Sequence, residues 1–195
     1  DPRLWLQGPP RSSFPACIAV KAAAEQGDPA VYLRRLREGL MCRRRKLDTT
    51  DALLQEARSV AGLELDRFQI DLGSHAILES FAADLERARG NERAPLPWLE
   101  FRGPATATAE PATLHGFVSY EQLRAAALAA GAEPVSDPPP SIEAALARFG
   151  AMATAEVAAV CELPGPRAPA ELWRLASEWR VQGERVGSGE LWALA

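Results

Sequence analysis

Apolar residues between positions 12 and 89 recur at the three- and four-residue spacing of amphipathic helices. Capping side chains or prolines stand in front of the successive helical stretches, and glycines such as Gly27, Gly62 and Gly90 follow them. The pattern therefore predicts a run of helices, with starts marked by Ser13, Asp28, Thr50, Asp66 and Ser74.

The pattern changes after residue 90. The stretches PWLEF and LHGFV flank a segment of small residues and predict two short strands joined as a hairpin. Ser119 and Gln122 have the spacing of a capping box and predict a helix that runs to Gly131. The order predicted for this part of the chain is strand, strand, helix.

Residues 133–140, EPVSDPPP, form a proline-rich stretch that predicts an extended linker and a domain boundary. Beyond it, helices are predicted over residues 141–149, 154–162 and 169–179. The strands RVQGERV and ELWALA follow, joined by a Gly-Ser-Gly turn. Three short helices followed by a hairpin outline a winged helix over residues 141–195.

Charge and composition narrow the classes of function. The net charge of −4 and the pI near 5.4 argue against general nucleic-acid binding, which needs a concentration of Lys and Arg. No apolar run is long enough for a membrane span, and the N-terminus is not a signal peptide. Three widely spaced cysteines indicate reduced thiols in a cytoplasmic protein. The absence of an initiator methionine is consistent with removal of an upstream segment.

Each of the three cysteines has its own environment. Cys17 lies between apolar neighbours on a helix and is expected to be a small buried residue. Cys42 precedes Arg43 and further bases that would favour its thiolate form, so it is the candidate reactive thiol if it is exposed, with a structural role as the alternative. Cys161 is expected to lie in a core.

Two groups of charged residues are candidate anion-binding surfaces. The basic stretch between Arg34 and Lys46 is interpreted as a solvated helix face, with an anionic partner as the alternative. Residues 141–195 carry more glutamates than arginines, so nucleic acid is disfavoured as a partner there. The tryptophans of this part indicate a small core or a protein-contact surface, and they are Trp173, Trp179 and Trp192.

The sequence offers no metal or cofactor site. His75 and His115 are isolated from other metal ligands, and we find no phosphate-binding loop, nucleophile elbow or convincing carboxylate pair. We therefore predict neither a metal, nor a cofactor, nor a catalytic residue within this chain.

The order of these segments resembles the cytosolic, FrnE-like form of the DsbA-like branch of the thioredoxin superfamily. The resemblance covers about residues 10–132 and rests on PRSSFPACIAVKAAAEQGDPAVYLRRLREGL, DALLQEARSVAGLELDRFQIDL, SHAILESFAADLERAR, APLPWLEFRG and GFVSYEQLRAAALAAGAE, in that order. It implies an α/β (α+β) fold, a partial thioredoxin-like fold with a helical insertion over residues 1–90 and the second half of the thioredoxin fold over residues 91–132, followed by the winged-helix-like domain.

The resemblance also implies a binding site and an activity. Pro97 matches the cis-proline of the family, and Leu96, Pro97 and Trp98 would form the substrate-binding loop. Members of the family begin with a strand and a helix that bear a Cys-x-x-Cys or a degenerate version of it, and this chain begins downstream of that position. The full-length form is therefore expected to exchange thiols and disulfides with protein or peptide substrates.

Two other functions remain open at the level of sequence. One is a redox-inactive relative that binds a peptide or a protein, and the other is a regulatory module that acts through the winged helix. A thioredoxin sheet without its first strand would expose an unpaired edge, so the chain is also expected to form a homodimer or to be completed by other chains.

Overall fold

A computed structural model of the chain describes residues 1–6, 8–90, 95–103, 111–134 and 136–195. It separates into two compact units, one formed by Asp1–Ala82 with Pro139–Ala195 and the other by Ala83–Pro138. None of the described helices has the length and apolar character that crossing a membrane requires.

The first part of the chain is helical, as its apolar spacing predicts. The helices are α1 (Arg3–Leu6), α2 (Phe14–Ala24), α3 (Ala30–Met41), α4 (Thr50–Ala57), α5 (Leu65–Leu72) and α6 (His75–Arg89). The starting caps differ in detail: the Thr49 hydroxyl, rather than Thr50, accepts the N–H of Ala52 at the start of α4. Helix α5 begins one residue before Asp66, and its N-cap position is Glu64.

The core of these helices packs around two rings. Tyr32 and Phe68 are fully buried and meet edge to face, with ring centroids 5.2 Å apart. The Tyr32 hydroxyl donates to the carbonyl of Leu53 at 3.0 Å, which satisfies its polar end inside the core. Small buried side chains on α2, Ala19 among them, allow close packing of the neighbouring helices.

The second unit contains the predicted strand, strand and helix. Strands β1 (Trp98–Phe101) and β2 (Ala112–His115) are antiparallel, with Trp98 opposite His115. Helix α7 (Tyr120–Ala129) starts with the predicted capping box: the Ser119 hydroxyl accepts the Gln122 N–H, and the Gln122 side chain accepts the Ser119 N–H. The hairpin and the capping box are therefore confirmed.

The last part of the chain has the order of helices and strands expected for a winged helix. Its elements are α8 (Ile142–Phe149), β3 (Met152–Ala153), α9 (Thr154–Val160), α10 (Arg167–Ser177), β4 (Val181–Val186) and β5 (Gly189–Leu194). The sheet has the strand order β3-β5-β4, and each neighbouring pair is antiparallel. The helices and the hairpin follow the sequence prediction, whereas the two-residue strand β3 was not predicted.

The core of the winged helix is built around one tryptophan. Trp192 on β5 is fully buried, and its Nε1 donates to the Thr154 hydroxyl at 2.9 Å. Gly183 lies opposite Trp192 in the β4–β5 register, and a Cβ added there would approach the ring to 2.9 Å. The ring therefore requires glycine at this position on β4.

The helical part and the winged helix are linked by charges within their common unit. The Arg34 guanidinium forms a two-pronged ion pair with Glu156, at 2.5 and 2.9 Å, and also donates to the carbonyl of Ala151 at 2.6 Å. Arg43 and Glu184 form a second pair at 3.2 Å. The hydrogen bond from Arg34 lowers the pKa of Glu156.

Candidate functional site

The loop that enters β1 is apolar and open to solvent. Pro95, Leu96 and Pro97 are exposed, Leu96 to 81%. The Leu96–Pro97 peptide bond is cis, as the resemblance implied for Pro97. These residues lie together in one turn immediately before the strand that begins at Trp98.

Gly116, which follows β2, forms hydrogen bonds with this loop. Its N–H donates to the carbonyls of Pro95 at 3.1 Å and Pro97 at 2.8 Å. Gly116 has a φ of +71°, and a Cβ added there would lie 3.4 Å from the Cβ of Pro95. Glycine at this position therefore permits the close approach of the two segments.

Phe117 extends the apolar surface of the loop. It follows Gly116 directly, and its side chain is fully exposed. We name the exposed residues Pro95, Leu96, Pro97 and Phe117 the proline-loop patch. Exposed apolar side chains that lie on connected segments are candidates for a contact surface.

Trp98, the third predicted binding residue, differs from its two neighbours in the sequence. It is only partly exposed, and its Nε1–H is buried with no hydrogen-bond partner in the part of the chain that the structure describes. It therefore contributes less surface than Leu96 and Pro97. No observation tests a binding role for any of the three, and that role remains a prediction.

The three cysteines are free and do not share an environment. Cys42 is half-buried at the C-terminal end of α3, far from the helix N-terminus that activates a thiol. Cys161 lies in the winged-helix core, as expected, and its burial raises the pKa of its thiol.

The expectation that Cys17 is buried is wrong. Cys17 is exposed on α2, where it borders an apolar groove, because the face of α2 that enters the core carries alanines instead. Partial desolvation in the groove still raises the pKa of its thiol, against a smaller opposing effect of a hydrogen bond with Ser13.

The basic stretch between Arg34 and Lys46 is partly solvated, since Arg37, Arg43, Arg44 and Lys46 are exposed. Most of its arginines pair with acids of this chain. Glu56 is fully buried: Arg45 donates to it at 2.5 Å, and the Nε of Arg35 lies 3.0 Å from its other oxygen without a hydrogen bond. The remaining pairs in this stretch are Arg34–Glu38, Arg34–Glu156, Arg43–Glu184 and Arg44–Asp1.

The exposed face of α10 and the turn after it carry large aromatic side chains. Trp179 is 87% exposed, and Trp173 is 59% exposed with its ring edge on against the buried Trp192, the centroids 5.2 Å apart. The neighbouring Arg174 pairs with Glu171 at 2.9 Å and with Glu178 at 2.5 Å. This face therefore offers aromatic surface more than free positive charge.

Across the described ranges, no group of three or more histidine, cysteine or acidic side chains is placed to hold a metal ion. His115 lies on β2 opposite Trp98, and His75 is the first residue of α6. The two histidines thus occupy unrelated structural positions.

Sequence reasoning missed two important residues. Phe117 was assigned to the interior of a strand, but β2 ends at His115. The Gly116–Phe117 step was the available signal, because a glycine that follows an alternating stretch marks a place where a strand ends. Glu56 was missed because its partners Arg35 and Arg45 belong to other elements, and pairing across elements has no sequence signature.

Two curated relatives match almost the whole chain. The ClpXP adapter protein SpxH of Shouchella clausii is 29% identical over 209 residues, covering 98% of this chain and 69% of the relative. The ClpXP adapter protein SpxH of Halalkalibacterium halodurans is 28% identical over 196 residues, covering 98% of this chain and 63% of the relative. The chain thus spans about two thirds of the length of these relatives.

A family model described as Thioredoxin (Thioredoxin_5) matches residues 1–123, which include the helical segment, both strands of the hairpin and the start of α7. The match agrees with the mixed helix and sheet of the structure and with the strand, strand and helix of the second unit. The chain therefore belongs to this thioredoxin family.

Proposed function

We propose that this chain is the partner-binding part of an adapter protein, and that it holds a client protein on the proline-loop patch. The observation that carries the proposal is the exposure of Leu96 and of Phe117, whose neighbour Gly116 donates to the carbonyls of Pro95 and Pro97. Burying such side chains against a partner releases about 1.5–3 kcal/mol each, which is the scale of a binding hot spot.

The hairpin beside the patch supports an extended client segment. Among the described residues, β1 and β2 pair only with each other. A client strand that pairs with an edge gains main-chain hydrogen bonds, while the proline-loop patch receives its apolar side chains. Such binding favours apolar, unfolded segments over any one sequence.

The relatives support the adapter class, because both carry the name ClpXP adapter protein. By this proposal the protein works in the cytoplasm and brings a client to ClpXP. The DsbA-like branch fits the same surface, since the resemblance places the peptide-binding loop of that branch at Leu96, Pro97 and Trp98.

Thiol–disulfide exchange by a longer form of the protein is the second candidate, and the match to a thioredoxin family favours it. That chemistry needs a thiolate that attacks a substrate disulfide, forms a mixed disulfide and releases a substrate thiolate, and a second thiol that resolves the product. Cys17 and Cys161 have raised pKa values, and Cys42 lies at a helix C-terminus. The nucleophile would therefore have to come from outside these three residues.

A nucleic-acid-binding winged helix is the least supported function. Two arginines of its α10 region pair with acids of the winged helix: Arg174 with Glu171 and Glu178, and Arg180 with Glu178 and with Glu143 of α8. Pairing of this kind leaves little charge for phosphate contacts.

The test compares protein lifetimes in cells that carry the full-length protein or its Leu96→Asp/Phe117→Asp variant, with and without ClpX. We expect a set of client proteins that is short-lived only when both ClpX and the wild-type adapter are present. The patch variant should lengthen their half-lives about threefold or more, since loss of two hot-spot side chains weakens binding at least tenfold.

Ile70→Asp is the matched control, because Ile70 is also a highly exposed apolar residue and lies on α5. It should leave the client half-lives unchanged. Client lifetimes that respond equally to the patch variant and to Ile70→Asp, or to neither, would contradict the proposal. Mixed disulfides between the full-length protein and its clients, trapped in the same cells, would favour the oxidoreductase instead.

A further inference from the structure

A second apolar surface lies in the other unit, between α2 and α3. It is a groove of about 270 Å³, with Ala16 and Val20 of α2 on one side and Leu33 and Leu40 of α3 on the other. Pockets for drug-sized ligands usually enclose about 300–1,000 Å³, so this volume suits one or two side chains of a peptide better than a whole cofactor.

The charge at the rim of the groove distinguishes it from the rest of α3. Among the described residues that line the groove, Arg37 alone is charged. Arg34 and Arg35 of the same helix pair with acids of this chain, whereas no ion pair joins Arg37 to any residue that the structure describes. Asp48, which lies near the groove in the sequence, is already engaged because it accepts the N–H of Arg11 at 2.9 Å.

The residues that line the groove favour a helix as its occupant. Leu33, Leu36, Arg37 and Leu40 share one face of α3, and the groove runs between two helices. An amphipathic helix presents apolar side chains at i, i+3, i+4 and i+7, and a groove of this volume takes one or two of them, with the polar residues of the helix at the rim.

We propose that the α2–α3 groove is a second docking site, which takes an amphipathic helical segment of a protein partner whose acidic residue pairs with Arg37. The site does not depend on the proline-loop patch, because it uses different residues in a different unit. An adapter with two such surfaces can hold two protein segments at once.

Cys17 provides a direct readout, because it borders the groove and is exposed. The experiment follows maleimide labelling of Cys17 in a Cys42→Ser variant of the chain. The probe is an acetylated, amidated alanine-based peptide with leucines at i, i+3, i+4 and i+7 and flanking glutamates. Its counterparts are the same peptide with lysines in place of the glutamates and a peptide with the leucines scrambled.

The acidic peptide should slow the labelling of Cys17 about tenfold at saturation, because it covers the thiol. The lysine peptide should bind about five- to tenfold more weakly, the scale of one surface ion pair replaced by a repulsion. The exposed substitution Arg37→Glu should reverse this preference without disturbing the core. Labelling of Cys42 in a Cys17→Ser variant is the control and should not respond to any of the peptides.

Several results would overturn this site. They are equal protection by the acidic and scrambled peptides, a preference that Arg37→Glu leaves unchanged, and no protection at all. Protection by decanoate equal to that by the acidic peptide would identify a fatty-acid site instead. Labelling that slows as the protein is concentrated, without peptide, would show that a second copy of the chain fills the groove.

Discussion

The two units of the chain differ in how far their apolar residues form a buried core. The unit formed by residues 1–82 and 139–195 contains two cores, in which Tyr32, Phe68 and Trp192 are fully buried. Of the described residues between 83 and 138, only Gly116 and Ala126 are buried, while Leu96 and Phe117 lie in water. The first unit therefore buries apolar side chains in two cores while it exposes others, such as Ile70 and Trp179, and the described residues of the second unit form no such core.

This difference predicts which substitutions should change stability and which should change binding. A buried side chain contributes to the free energy of unfolding through the apolar surface it removes from water and the cavity that its loss would leave. An exposed side chain contributes almost nothing to that free energy but can contribute much to binding. Substitutions in the two units should therefore separate stability from partner binding.

The largest effect is expected in the winged-helix core. Trp192→Ala should lower the free energy of unfolding by about 3–5 kcal/mol, because it empties the centre of the core and leaves the Thr154 hydroxyl without its donor. Trp173→Ala is the control, since that ring only touches Trp192 from the surface and should cost about 1 kcal/mol. Denaturant unfolding measures both values. Equal losses would mean that Trp192 is not the centre of this core.

A buried charge in the helical part should give the next largest effect. Glu56→Gln should lower the free energy of unfolding by about 2–3 kcal/mol, because it leaves Arg35 and Arg45 without a counter-charge. The loss of stability should be smaller than for a fully enclosed ion pair, because both arginines are partly exposed to water. The control is Glu79→Gln on the exposed side of α6, which should be neutral. A neutral Glu56→Gln would contradict a stabilising role for these pairs.

The smallest effect is expected at the Arg34–Glu156 pair. Its coupling energy in a double-mutant cycle with Arg34→Gln and Glu156→Gln should be about 0.5–1 kcal/mol, because Glu156 is partly solvated. The pKa of Glu156 is lowered by Arg34 in the folded state, so this contribution is present above the ordinary value of 4.5 and is lost as the pH falls through the lowered pKa.

Unfolding of the wild type and of Arg34→Gln at pH 7 and near pH 3 tests that pH dependence. The difference in stability between the two proteins should shrink at the lower pH. A difference that stays constant or grows would show that Glu156 does not carry the effect.

The sequence predicted the elements well wherever a local signal marks them. Helical spacing, the Ser119–Gln122 capping box and the two hairpins all rest on residues within a few positions of each other. Strand β3 was missed because its two residues carry no pattern and form a strand only by pairing with β5.

Features that depend on contacts between distant residues could not be predicted. The environment of Cys17 depends on which face of α2 meets the core, and its alanine-rich sequence marks no face clearly. The ion pairs of the basic stretch likewise depend on Glu56, Glu156 and Glu184, which come from other parts of the chain. The proline-loop patch was half predicted: Leu96 and Pro97 came from the resemblance, and Phe117 came from the structure.

The measurement that tests the central claim most directly combines stability and binding for Leu96→Asp/Phe117→Asp in the full-length protein. Its free energy of unfolding is measured beside its affinity for an apolar client peptide selected on the wild-type protein. We expect stability within about 0.5 kcal/mol of the wild type and an affinity at least about tenfold weaker. Unchanged affinity, or a loss of stability of several kcal/mol, would contradict the assignment of this patch as the client-binding surface.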